Sequence, residues 1–165
     1  MPYVLLTVVF RKEEAAELEV LDCIFPKDQT AHFLEHRFGG LLLLETSLNP
    51  DLAAEAIRNC TTSTVFKIIP VDSMVTTDIS LISEEARRLV GGGSCPVAVV
   101  CVRRGRAIAS SSEVEHHVGA LLKKAGHQIS LGSPCLVVRI DIIDDRTTIS
   151  VRPPSGFFTK MGGSK

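Results

Sequence analysis

The sequence predicts an α+β protein built in two successive parts, and three observations carry that prediction. Short apolar, β-branched runs alternate with stretches of helical spacing along the whole chain. Glycine, proline, serine and asparagine clusters separate them. The charge balance changes sign near the middle: residues 1–75 hold 6 Lys/Arg against 11 Asp/Glu, a balance of −5, and residues 76–165 hold 12 against 8, a balance of +4. With 165 residues there is room for one medium domain or two small ones. An acidic half joined to a basic half favours two units with different partners, against the alternative that the swing is chance.

In the first half, residues 3–10 are apolar and β-branched, as a buried strand requires. From Lys12 to Ile24, residues Ala15, Leu18, Val20 (or Leu21) and Ile24 recur near helical spacing, and Pro26 stops the helix. Residues 31–36 suit a short edge strand. Gly39-Gly40 turns the chain into a strand over 41–46. Asn49-Pro50-Asp51 opens a helix reaching Arg58, with proline near the first turn, where its missing N–H costs nothing. Residues 64–69 form the last strand. The order βαββαβ is that of a ferredoxin-like domain, expected over residues 1–71.

In the second half, residues 75–78 supply N-cap candidates for a helix over 79–90 with Ile79, Ile82, Ala86, Leu89 and Val90 on one face. Gly91-Gly92-Gly93 ends it. Residues 96–102 read as a strand covered on both faces. Ser110-Ser111-Ser112-Glu113 caps a helix reaching Lys124, with Val114, Val118, Leu121 and Leu122 as its apolar face. Residues 136–143 alternate, Asp144-Asp145 makes a turn, and residues 147–152 form a final strand. This part is expected over 72–160, with 161–165 as a flexible tail.

No run of about 18 apolar residues is present, so no membrane span or membrane partner is expected. The first ten residues lack a basic lead and are followed by charged residues, against a secretory signal, so a cytoplasmic location is expected. Cys23, Cys60, Cys95, Cys101 and Cys135 are odd in number and lack the spacing of a zinc site. A Cys23–Cys60 disulfide is compatible with the count but has no further support. No cofactor is expected.

Arg103-Arg104-Gly105-Arg106 places three guanidiniums at a strand end, a cluster suited to phosphate oxygens because arginine stays charged and binds bidentately. The alternative is a solvated basic turn, the commoner fate of such clusters. Arg139 and Arg152 fall on adjacent strands where they can share a face, Lys123 and Lys124 end a helix, and Lys160 follows the last strand. Phe157 and Phe158 either stack on bases or latch under a sheet, the latch being favoured for at least one. Adjacent His116 and His117 point about 100° apart on a helix and do not chelate one ion. No nucleophile motif is assembled, so no catalytic residue is assigned.

The second half resembles the THUMP domain, a module of tRNA-modifying enzymes and stand-alone adaptors. The likeness lies in the helix 78–90, the apolar-then-basic strand 97–104, the helix 113–124 (EVEHHVGALLKK), and above all residues 133–151, SPCLVVRIDIIDDRTTISV, which look like the family's NPDLVVRVEI strand pair. The resemblance implies a mixed sheet with helices on one side, often preceded by a ferredoxin-like domain, recognising the acceptor stem and 3′ end of tRNA. It also implies a non-catalytic adaptor for a separate enzyme, similar to that of tRNA cytidine acetylation. The expected RNA contacts are Arg103, Arg104, Arg106, Arg139, Arg152 and Lys160, then Lys123 and Lys124; DNA is not an expected partner. Two rivals remain: a protein-interaction module using an exposed apolar edge at 41–44, and a small-metabolite enzyme using His116 or Cys95.

Overall fold

The computed structural model describes residues 2–34 and 38–160. They divide into two compact units: Met1–Val71 with Gly156–Lys165, and Asp72–Ser155.

The first unit contains β1 (Tyr3–Val8), α1 (Glu13–Ile24), β2 (His32–Phe33), β3 (Leu41–Glu45), α2 (Pro50–Arg58) and β4 (Val65–Val71). β1 is antiparallel to both β3 and β4, giving the ferredoxin-like order β2-β3-β1-β4. Its core joins Val4, Leu6 and Val8 to Ala16, Val20 and Ile24 of α1 and to Ala53, Ala54 and Ile57 of α2. The buried face of α1 is therefore the line Ala16, Val20, Ile24. Leu18, read from the sequence as a core position, is 67% exposed. Asn49 caps α2 by accepting from the Asp51 N–H at 2.9 Å, and Pro50 occupies the first turn, as the sequence predicts. The edge strand expected at 31–36 is two residues long among those described; Glu35 and His36 lie outside them, as does the expected tail 161–165.

The second unit contains β5 (Ser73–Thr76), α3 (Ile79–Val90), β6 (Val97–Arg104), α4 (Ser111–Lys124), β7 (Leu136–Ile143) and β8 (Arg146–Arg152). The sheet order is β5-β8-β7-β6; β6 and β7 are parallel, and β8 is antiparallel to β7 and to β5. This is the THUMP-like mixed sheet. Ile82, Ala86 and Val90 of α3 and Val114, Val118 and Leu122 of α4 pack with Val97, Val99 and Cys101 of β6 and Val138, Ile140 and Ile142 of β7. Those strand positions alternate, so both helices lie on one face. Asp78 accepts from the Leu81 N–H at 3.0 Å and Ser110 from the Ser112 N–H at 3.1 Å, the caps the sequence marks.

Two strands have no sequence counterpart. β5 lies in the segment read only as a helix cap, and its pairing with β8 is what makes it a strand. β9 (Phe158–Thr159) pairs with β4, and the Lys160 N–H donates to the Phe66 carbonyl at 2.7 Å. Residues 156–160, expected to close the second domain, thus complete the first unit. β9 thereby pairs with N–H and C=O groups that the outer edge of β4 would otherwise leave without a strand partner, and Phe158 packs on the first core with the Arg58 guanidinium over its ring at 4.7 Å.

Disulfides join Cys23 to Cys60 and Cys95 to Cys135, each with a Cα–Cα distance of 5.9 Å. Such bonds persist in oxidising compartments and inside hyperthermophiles. Among the described residues, no helix is long and apolar enough to cross a membrane.

Candidate nucleic-acid interface

β6 ends in the Arg103-Arg104-Gly105-Arg106 turn. Gly105 has φ +93°, and a Cβ there would stand 2.9 Å from the Asp144 carboxylate, so the turn requires glycine. Strand alternation sends Arg103 and Arg104 to opposite faces. Arg103 is exposed, and its Nη1 donates to the carbonyls of Gly105 and Ile108 at 3.3 and 3.0 Å, tying down the loop that leads to α4. Arg106 is exposed and makes no ion pair among the described residues. Arg104 turns to the helix-free face, where its Nη1 lies 3.1 Å from Oδ1 of Asp141.

Arg139 meets the same carboxylate, donating from Nε to Oδ2 at 2.9 Å and from Nη2 to Oδ1 at 3.0 Å. The Asp141 side chain is 1% exposed. The register sets Arg152 opposite Val137, which confirms that Arg139 and Arg152 share a face. Arg152 is itself buried, with Nη1 2.6 Å from Oδ2 of Asp72. Lys160 donates to the carbonyls of Ile57, at 3.0 Å, and Cys60 at the end of α2, and burial pushes its amine pKa down. Four expected phosphate contacts, Arg104, Arg139, Arg152 and Lys160, are thus engaged within the protein. Arg139 meets Asp141 two residues along its own strand, but Arg104, Arg152 and Lys160 meet Asp141, Asp72 and the α2 carbonyls through register and chain return, which spacing does not reveal.

Lys123 and Lys124 are exposed in the last turn of α4. That helix runs antiparallel to β6 for 14 residues, about 20 Å, so the two lysines stand at the opposite end of the unit from Arg103 and Arg106. Sequence reasoning missed Arg146, the first residue of β8, which pairs with Ile143 just as Arg104 does from the other side. Its only signal was a position directly after the Asp144-Asp145 turn.

The enzymatic and edge-docking candidates are displaced. Cys95 is in a disulfide, and Cys101 is buried with its thiol pKa pushed up to about 12 by desolvation, then by Glu115 and Asp141. His116 is exposed on a shallow groove of about 310 Å³ with Gly119, Lys123 and Leu131. His127 is buried; its Nε2 lies 2.8 Å from the Gly91 carbonyl, and its Nδ1 has no partner among the described residues. Among the described residues no His, Cys, Asp or Glu cluster is suited to a metal ion. The run at 41–44 is buried between β2 and β1, not an exposed edge.

No family model matches the sequence, and no curated protein matches it either. Solved structures do match. PH1313 from Pyrococcus horikoshii superposes with a TM-score of 0.72 at 16% identity, over 92% of this chain and 54% of its own. TrmN from Thermus thermophilus gives 0.61 at 20% identity, over 92% and 46%. A 4-thiouridine synthetase, solved as an RNA complex with bound ATP, gives 0.66 at 10% identity, over 98% and 44%. The chain therefore spans about half the length of these proteins, and the likeness is one of fold: a ferredoxin-like domain followed by a THUMP-like sheet.

Proposed function

We propose that this chain is a tRNA-binding protein without catalysis of its own, presenting the acceptor stem and 3′ end to a separate modifying enzyme such as a cytidine acetyltransferase. The observation that carries this reading is that nearly the whole chain superposes on part of a 4-thiouridine synthetase solved with RNA. The exposed cations of the second unit supply phosphate contacts: Arg103 and Arg106 at one end, Lys123 and Lys124 at the other. Arg104, Arg139 and Arg152 hold the sheet face through their carboxylates and contribute positive potential rather than direct contacts.

The test is a fluorescence titration of the purified chain against tRNA, tRNA trimmed of its 3′ end, and duplex DNA, at two salt concentrations. Salt-sensitive binding that prefers intact tRNA is expected. Equal affinity for all three, or none at low salt, overturns the reading.

A further inference from the structure

The turn between β1 and α1 carries the most exposed phenylalanine ring among the described residues. Phe10 is 61% exposed. Arg11 and Lys12 follow, both exposed, with the Arg11 guanidinium 5.5 Å from the ring centroid. Arg11 has φ +70°, one of two non-glycine residues in the left-handed region among those described. Such a conformation persists only where its surroundings enforce it, and it concentrates at ligand sites. Here the enforcement is visible. The Arg11 N–H donates to Oε2 of Glu13 at 3.2 Å, and the same oxygen accepts from the Gly40 N–H at 2.6 Å. Phe10 itself is seated on Gly39, where a Cβ would come within 2.9 Å of the ring. Gly39 braces one edge of the ring and the Arg11 guanidinium lies over it, while the residue as a whole stays 61% exposed.

We propose that Phe10, Arg11 and Lys12 form a contact for single-stranded RNA: an unpaired base stacks with the exposed Phe10 ring and the guanidinium lying over it, and the flanking phosphates lie against Arg11 and Lys12. The proposal rests on the RNA-binding reading and extends it to the acidic first unit. An aromatic ring beside two cations is the combination that unpaired nucleotides engage. Lysine and glutamate are depleted at protein interfaces, although arginine and phenylalanine are enriched there, so Lys12 and Glu14 are what weigh against a protein partner. Among the described residues just after Phe10 in the chain, Arg11, Lys12 and Glu14 are exposed. The Glu13 carboxylate, which accepts from the Arg11 and Gly40 N–H groups, and the exposed Glu14 both oppose the phosphate attraction.

The test uses the full chain with labelled oligoadenylate, a blunt RNA duplex and intact tRNA as probes. Phe10 lies outside both cores, so Phe10→Ala keeps the wild-type circular dichroism and melting temperature. It is expected to weaken oligoadenylate binding roughly 5- to 150-fold, the range for losing one stacked base, and to leave the duplex unaffected. Phe10→Trp restores binding, whereas Phe10→Leu, equally apolar without a π-face, does not. Arg11→Gln and Lys12→Gln each lower the salt slope by about 0.7. Wild-type tRNA binding with oligoadenylate binding indifferent to Phe10→Ala overturns this proposal alone; so does full oligoadenylate binding by Phe10→Leu, which would mean that no base stacks on the ring. Failure of the wild type to bind either tRNA or oligoadenylate overturns the RNA reading and this proposal together.

Discussion

Arg139 grips Asp141, two residues along the same strand, through two donors on one edge of its guanidinium, Nε and Nη2, at 2.9 and 3.0 Å. Arg104 reaches the same carboxylate from the neighbouring strand at 3.1 Å. Asp141 is 1% exposed, so its charge is balanced by these two partners and not by water. Removing one member of a buried pair leaves an uncompensated charge, which costs about 3–5 kcal/mol. Asp141→Ala, stranding two arginines, is expected to lose that much in urea unfolding, and Asp141→Leu with Arg139→Met to recover part of it. A loss under about 1 kcal/mol for Asp141→Ala would mean the arginines find water instead.

The division between engaged and exposed cations makes a second prediction, about salt. Removing a cation that neutralises one phosphate lowers the slope of log affinity against log salt by about 0.9 on duplex. Arg103→Gln with Arg106→Gln is expected to lower the slope by about 1.8 on tRNA, with little change in melting temperature. Arg152→Gln, which breaks the buried pair with Asp72, is expected to do the reverse. If the Arg152 variant flattens the slope while the protein stays stable, the assignment of roles is wrong.

Reduction is the third test. The Cys23–Cys60 and Cys95–Cys135 bonds close separations of 37 and 40 residues, one bond in each unit. Loops of that length constrain the unfolded chain by about 4 kcal/mol each in the chain-entropy account. Dithiothreitol is expected to lower the melting temperature of both units. An unchanged transition, with mass spectrometry showing the cysteines reduced, would remove the disulfides as a source of stability.

Acid is the fourth. Hydrogen bonds from Arg88, then from the Ser73 hydroxyl, hold the Glu85 carboxyl down at about 2. Asp28 is likewise held well below its ordinary value by the Thr30 hydroxyl, the Ser47 N–H and the Thr46 hydroxyl. Both folded pKa values lie below the unfolded ones, about 4.3 for Glu and 3.9 for Asp. Their stabilisation is therefore complete above about pH 4–5 and is lost as pH falls through the folded values. Urea unfolding followed from pH 5 to pH 2 should fall less steeply for Glu85→Gln than for the wild type; parallel curves would contradict the shift.

The elements themselves were legible because their causes are local. The Asn49-Pro50 start of α2, the Asp78 and Ser110 caps, the alternation in β7 and the glycine after α3 each act within a few residues; the face of α3 read correctly, and that of α4 did except that Leu121 stays half-buried outside the core. The likeness to the THUMP pattern at 133–151 likewise belongs to the chain order. What the sequence by itself determined was thus the two-part α+β plan and the supply of basic residues to the second part. Only the tertiary structure decided which of those charges remain available. Arg104 meets Asp141 through the parallel register of β6 on β7, whereas Arg139 meets it two residues along its own strand; Arg152 meets Asp72 through the non-local packing of β5 on β8; Lys160 reaches α2 because β9 returns to the edge of β4. Alternation assigns a side chain to a face, but its partner there depends on strand order and register, which are set by contacts between residues far apart in the chain.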